Sequence, residues 1–477
     1  MSLLDLVGRL LAGATPTTLL WTLGAVEFLA LITLPSVLLS RRGRPTAAIA
    51  WIFAVLALPL LGSLMWWTFG RTRIERKKRK RAQRKRSYRA RTGRGDASGQ
   101  TTSLDRLMPE RARNGSAYCS GGNRLAVSTE GQKAFAALER AIDDAEHTIH
   151  LLYYIFNDDS TGRRIAERLV AKARAGVTVR VLLDGFGSQA GTGRLRRDLT
   201  RGGVQVAIFL PSPLNPLHAP RINFTNHRKI AVFDGVVAFT GGMNIGEEYE
   251  LRWRDLMMRI EGPAVAGLDD VFLEDWYFAT NEAVHDVERP DRSGAPGSEV
   301  AVIASGPDTE PWIHDAYFLA ITRAERRVWL VTPYFIPTPP IVTALRTAAG
   351  RGVDVRIVVP DSSDVALVKW ASRSFYKPLV QAGVRIFEYE GPMLHAKAFV
   401  GDDDLLAVGS ANIDSRSFGL SFEVACFAQD GAIHTALSQW VEDLMSSSVE
   451  ATEEWLSRKT TLEKVTESAA HLFSPIL

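Results

Sequence analysis

The sequence predicts an α/β protein of two similar α/β sandwich domains with pseudo-twofold symmetry, preceded by an N-terminal transmembrane helical hairpin. Three observations carry that prediction. Two long apolar runs open the chain. One short motif occurs twice, its histidines 168 residues apart. Each copy follows β-rich runs that alternate with a helical stretch, the pattern of a sheet covered by helices. At 477 residues the chain has room for two or three domains of about 150 residues each.

The first run, Thr17–Leu39, is 23 residues with a single charge, Glu27; the second, Thr46–Phe69, is 24 residues with none. At 1.5 Å per residue, either is long enough for a hydrocarbon core of about 30 Å. A cleaved signal peptide fits poorly, because a basic n-region is lacking and a second apolar run comes directly after. Trp21, Trp51, Trp66 and Trp67 sit near the run ends, where indoles favour the headgroup layer. An alternative is that Pro35, Pro45 and Pro59 mark helices that break or re-enter. The hairpin is assigned to residues 1–70, with helices at about 17–39 and 46–69.

Charge is concentrated rather than spread. The net charge is +4, yet Arg71–Arg94 alone holds 14 Lys+Arg against one acid, Glu75. Three arginines, Arg41, Arg42 and Arg44, lie between the runs, so the basic excess places the strip and both ends of the hairpin in the cytoplasm. The same strip suits anionic lipid headgroups. Residues 71–116 read as this strip followed by a flexible linker rich in Gly, Ser and Arg. The 46% hydrophobic content excludes global disorder, and two cysteines, Cys119 and Cys426, exclude a disulfide framework or a four-cysteine zinc site.

The repeat organises the rest of the chain. His227-x-Lys229-x4-Asp234 is matched by His395-x-Lys397-x4-Asp402, and the offset persists to Gly241/Gly409, Asn244/Asn412 and Asp255/Glu423. One copy would be weak; two copies with matched downstream spacing are specific. The boundaries become 117–296 and 297–477. Upstream, Ile149–Phe156, Arg163–Ala175 and Val177–Leu183 read as strand, helix and strand, as do Val328–Ile336, Ile341–Ala349 and Val353–Val359. Gly176 and Gly352 stand where each helix stops. A site between such halves takes one motif from each.

Side chains two apart on a strand share a face about 6.6 Å apart, so each histidine is expected to point with its lysine. The odd spacing of Asp234 and Asp402 turns them away, as structural anchors at strand ends. Asp255 and Glu423 are the candidate orienters of the imidazoles. Lys229 and Lys397 supply positive charge and Asn244 and Asn412 neutral donors for an anionic phosphodiester. His147, His150, His218, His285, His314, His434 and His471 have no repeat partner and read as surface or structural. Tyr153-Tyr154 and Tyr334-Phe335 line core or pocket.

With these residues in view, the chain resembles the bacterial cardiolipin synthases of the phospholipase D superfamily, the HKD enzymes. The likeness spans most of the chain: Arg44-Pro45, Pro59 and Phe69-Gly70-Arg71 in the hairpin, Arg221-x-Asn223 and Gly241-Gly242-x-Asn244 around the first motif, and Thr332-Pro333-Tyr334 and Asn412-x-Asp414-x-Arg416-Ser417 in the second half. Thr225 stands where the family more often has Arg, and Met393 where a bulkier residue is common. The resemblance implies two phospholipase D-like domains, a phosphohistidine intermediate, and His227, Lys229, Asp234, His395, Lys397 and Asp402 as the catalytic set, with no metal and no cofactor. It implies phosphatidylglycerol as substrate, no nucleic acid as partner, and a multi-pass protein of the bacterial inner membrane. A membrane-bound phospholipase D that hydrolyses or exchanges other headgroups is the alternative.

Overall fold

The computed structural model describes residues 16–40, 45–67, 83, 87, 88, 102–109, 112, 117–188, 192–210, 224–284, 296–363, 365–402 and 404–474. The basic strip lies outside these residues, apart from Gln83, Ser87 and Tyr88, as do His218, Arg221, Asn223 and His285. The chain divides into two compact units, Met1–Lys77 and Lys78–Leu477.

The first unit is helical. One helix runs Pro16–Ser40 with Pro35 inside it. The second apolar run does not form one helix. It breaks at Leu58, where Pro59 removes an amide donor, into helices Pro45–Ala57 and Pro59–Met65. Among the described residues, no helix is long and apolar enough to cross a membrane. The unit packs on Val37, Ala48 and Trp66. Trp66 Nε1 donates to Ser36 Oγ at 3.1 Å and Trp67 Nε1 to Thr33 Oγ1 at 2.9 Å. Its outside is apolar: Phe28, Leu31, Leu39, Phe53, Leu56 and Leu64 are all exposed.

The second unit is built on one 15-stranded sheet. The first half contributes β1 (Ala117–Ser128), β2 (Thr148–Tyr153), β3 (Thr178–Asp184), β4 (Gln205–Phe209), β5 (Ile230–Phe233), β6 (Val237–Gly241) and β7 (Met257–Glu261). The second half contributes β8 (Ser298–Ser305), β9 (Arg327–Val331), β11 (Asp354–Pro360), β12 (Arg385–Tyr389), β13 (Ala398–Val400), β14 (Leu405–Gly409), β16 (Glu423–Gln429) and β17 (Ser448–Glu450). Two short strands, β10 (Phe335–Ile336) and β15 (Ile413–Asp414), pair separately.

The order β4-β3-β2-β5-β6-β7-β1 is mirrored by β12-β11-β9-β13-β14-β16-β8, and antiparallel β1 and β8 join the halves. Helices Gly131–Asp144 and Ser160–Arg174 cover one face of the first half, and Trp312–Arg323 and Pro339–Gly350 the matching face of the second. The opposite face is a single core that crosses both halves beneath helices Ala264–Thr280 and Gly431–Ser446. Apolar runs of four to seven residues, buried on both faces, suit the central strands of such a sandwich. Gly176 and Gly352 have φ of 97° and 88°, the left-handed turn that ends each helix before β3 and β11.

One segment departs from the expected linker. Residues 103–107 form a 3₁₀ turn in which Asp105 Oδ2 accepts from Thr102 N at 3.3 Å, and Leu104, Leu107 and Met108 are buried against the second half. Three apolar side chains at close spacing outweighed the polar composition around them.

Candidate active site

The two halves touch through backbone at the motifs. His227 N donates to Phe422 O at 2.9 Å and Phe422 N to Thr225 O at 2.9 Å. The mirror contact joins Arg254 N to Met393 O at 2.8 Å and His395 N to Arg254 O at 2.8 Å. Thr225 and Met393 thus bind through backbone carbonyls, which any residue supplies, and Thr225 adds a contact of its Oγ1 with Ser421 Oγ at 3.3 Å. The motif residues 226–229 and 394–397 lie just ahead of β5 and β13, so the strands begin later than the sequence spacing implied.

These bridges cross the acids over the seam. His395 Nδ1 is 2.7 Å from Asp255 Oδ2, and His227 Nδ1 is 3.5 Å from Glu423 Oε1. Each imidazole therefore faces the carboxyl of the other half, a pairing that the 28-residue spacing within each half does not reveal. An acid on Nδ1 fixes the tautomer and leaves Nε2 for chemistry.

Both lysines lie beside their histidines. Lys397 Nζ is 2.9 and 3.1 Å from the two ring nitrogens of His395. Lys229 Nζ donates to His227 O at 2.6 Å and stands 5.5 Å over the Tyr154 ring. Tyr154, just past the end of β2, packs 4.0 Å from the His227 ring, whereas Tyr153, the last residue of β2, is core. Trp253 packs on His395, with ring centroids 5.2 Å apart.

The other predicted residues are placed differently. Asp234 ends β5 with φ 52° and accepts from the amides of Glu146, His147 and Thr148 at 2.7–2.8 Å. Asp402 accepts from Glu325, Arg326 and Arg327 at 2.7–2.9 Å. Both bind backbone at the opposite end of their strands from the histidines. Asn244 is tied down: its Oδ1 accepts from Ile155 N at 3.1 Å and its Nδ2 donates to Tyr249 Oη at 2.8 Å. Asn412 N donates to Ser417 Oγ at 3.2 Å.

Burial shapes the electrostatics. It holds His227 well below its usual pKa, helped by the charges of Lys229, Arg416 and Lys397. It lowers His395 to about 4, with Lys397 adding to the effect and Asp255 opposing it. It lowers Lys229 to about 8. It raises Glu423 to about 8 against the pull of Lys229 and the hydrogen bond from Ser410. Asp184 rises to about 6 for the same reason, opposed by the amides of Asn226, Gly187 and Phe186. At neutral pH the free site presents two uncharged imidazoles among cations: a nucleophilic nitrogen in a field that attracts an anion. Among the described residues, no group of three or more His, Cys, Asp or Glu is placed to hold a metal ion.

Sequence reasoning passed over Arg228, buried beside the motif. It donates to Asp275 Oδ2 at 2.6 Å, to Glu423 O at 3.1 Å and to Ser305 O at 3.1 Å, so it pins the second half to the first. Its only signal is a charge two residues ahead of the apolar run that becomes β5. Arg228→Met would leave the Asp275 carboxylate buried without its cation, and should cost about 3–5 kcal/mol. Thermal unfolding of the purified chain checks this; an unchanged melting temperature would remove the strut. Of the lone histidines, His150 is buried with Asp269 at 2.7 Å, stacked on Phe272, and His434 contacts Gly401 O at 2.9 Å.

Known proteins resemble this chain in sequence and in fold. The family model "Cardiolipin synthase, PLD-like domain" matches residues 138–276 and 317–445, and "Phospholipase_D-nuclease N-terminal" matches 28–71. A cardiolipin synthase of Geobacillus kaustophilus is 35% identical, covering 100% of this chain and 98% of the relative. Cardiolipin synthase 2 of Bacillus cereus is 38% identical over 73% of this chain and 70% of its own length. The crystal structure of phosphatidylserine synthase from Haemophilus influenzae shares the fold, with a TM-score of 0.57 at 14% identity, covering 74% of this chain and 95% of that one. By its paired motifs, the two matched domains and full-length relatives, the chain belongs to the cardiolipin synthases, phosphatidyltransferases of the phospholipase D superfamily.

Proposed function

We propose that the chain makes cardiolipin by double displacement at the seam. Nε2 of one histidine attacks the phosphorus of phosphatidylglycerol, and the bond to the glycerol oxygen breaks. The other imidazole, protonated as the anionic substrate binds, gives its proton to the departing glycerol. It then takes the proton of the terminal hydroxyl of a second phosphatidylglycerol. That oxygen attacks the phosphohistidine, and the first imidazole leaves. Lys229 and Lys397 neutralise the phosphoryl oxygens, and Asp255 and Glu423 orient the imidazoles. Asp234 and Asp402 act indirectly, by fixing the loops ahead of β2 and β9.

The observation that carries this reading is the crossed contact of each imidazole with the other half's carboxyl. It builds one site from two motifs, and burial limits the water that would otherwise intercept the intermediate. The first unit serves as a membrane anchor. Its polar Thr33 and Ser36 face inward to Trp67 and Trp66 while leucines and phenylalanines stand outward, the reverse of a water-soluble bundle. The strip Arg71–Arg94 then holds the catalytic unit at the cytoplasmic face of a bacterial inner membrane, with domains at 117–296 and 297–477.

The full chain in phosphatidylglycerol vesicles, without added nucleotide or metal, should release glycerol and cardiolipin in about a one-to-one ratio by mass spectrometry, as the mechanism's stoichiometry requires. Phosphatidic acid without cardiolipin would instead make water the acceptor.

A further inference from the structure

The C-terminal helix Thr461–His471 is built inside out. Glu463, Glu467 and Ala470 fall on one face by helical spacing, and Glu467 and Ala470 are buried there. Glu467 is satisfied by Lys459 Nζ at 2.6 Å. On the opposite face Leu462 is 76% exposed, Val465 59% and Leu472 78%, with Phe473 beside them. A helix at a protein surface ordinarily turns such a stripe toward its core. Here a buried ion pair faces the body and the apolar stripe faces away.

Exposed apolar side chains also stand on the neighbouring helix and in the first half. The helix packs through Ala470 on Val368 and Ala371 of helix Ala366–Arg373. His471 Nδ1 lies 2.9 Å from Ser374 Oγ, and its ring packs tilted against Phe375 with centroids 4.9 Å apart. That neighbouring helix begins where the chain leaves the C-terminal end of β11, and Val365 and Leu367 stand exposed at its start. The equivalent loop of the first half, after β3, exposes Phe186. This end of β3 is the site end: Asp184 accepts from Asn226 N at 2.7 Å, one residue before His227, and from Phe186 N at 2.8 Å. Leu251, two residues before the Trp253 that packs on His395, is exposed as well.

We propose that this apolar face is a bilayer seat, by which the catalytic unit rests on the membrane and opens its site to lipid. The occupant is the interfacial layer of the bilayer, taken at the depth an amphipathic helix reaches. Two observations select it over a protein partner. The exposed residues come from both halves, and Phe186 and Leu251 each lie two residues from a side chain that touches a motif, where a second protein would obstruct entry. The substrate of this family is itself a bilayer lipid whose acyl chains must remain in an apolar phase while its headgroup reaches the histidines. The inference rests on the lipid substrate of the proposed reaction, and extends it to how substrate enters.

The test uses the full chain carrying Leu462→Glu and Leu472→Glu, outside the catalytic machinery. Turnover is compared on phosphatidylglycerol vesicles and on dihexanoyl phosphatidylglycerol kept monomeric in solution. The double variant should lose about tenfold or more on vesicles and nothing on the monomeric lipid, because two carboxylates oppose interfacial seating. In parallel, a nitroxide at Val465→Cys should become accessible to oxygen and shielded from a water-soluble nickel chelate when the protein is reconstituted in vesicles. Equal turnover on vesicles, or a label that remains in water, overturns the proposal. So does a label shielded from both quenchers together with a variant that loses self-association, which would assign the face to a second copy. If the parent chain makes no cardiolipin from either lipid, the reaction fails, and the label still decides the seat.

Discussion

His395→Gln is expected to cut cardiolipin formation by roughly 10³- to 10⁴-fold or more, the scale of losing a nucleophile or a general acid. Glutamine keeps a polar group near Asp255, which is fully buried and would otherwise lose the partner it holds at 2.7 Å. His395→Ala should show the same loss of turnover with an added loss of stability, because Asp255 Oδ2 loses its partner while Oδ1 keeps Leu256 N at 2.7 Å. Initial rates on phosphatidylglycerol vesicles, with thermal unfolding of both variants, separate the two effects. The equivalent change at His227 should be as severe, since the reaction alternates between the two imidazoles. Full activity in either variant would mean that the chemistry lies elsewhere.

Asp255→Asn should lower kcat on the order of 10²- to 10⁴-fold, since the amide no longer stabilises the imidazolium or fixes the tautomer. The pH dependence carries the sharper signature. His395 sits at about 4 because burial and Lys397 outweigh the opposing charge of Asp255. Removing that charge lowers the imidazole further, so the acid limb it contributes to kcat/KM moves to lower pH. Glu423→Gln should leave this limb in place and act through His227, whose Nδ1 faces Glu423 at 3.5 Å. If Glu423→Gln moved the His395 limb and Asp255→Asn did not, the acids would serve the histidines of their own halves and the crossed arrangement would be wrong.

What the sequence reveals here depends on the range over which each interaction acts. The repeat, the helix-ending glycines and the strand runs are local patterns, and they recur in the structure at nearly the expected positions. Which of Tyr153 and Tyr154 reaches the site depends on where β2 stops, at Tyr153, a boundary the run of apolar residues does not mark. The crossing of His395 to Asp255 and of His227 to Glu423 spans 140 and 196 residues and is set by two backbone bridges. Spacing along the chain cannot encode which half supplies an acid to which histidine. Arg228 escaped notice for a similar reason: its partners Asp275, Glu423 and Ser305 lie on three separate elements. The two prolines in the apolar runs show how context decides a common residue. Pro35 is carried within a helix, whereas Pro59 starts a new one, with its missing donor falling in the first turn.

The covalent step tests the central claim most directly. With phosphatidylglycerol labelled at phosphorus, turnover quenched in alkali should leave one base-stable, acid-labile label on the protein, mapping to the peptide that contains His227 or His395. A chain that turns over under the same conditions with no protein-bound label, or with label on a peptide holding neither histidine, would contradict the account.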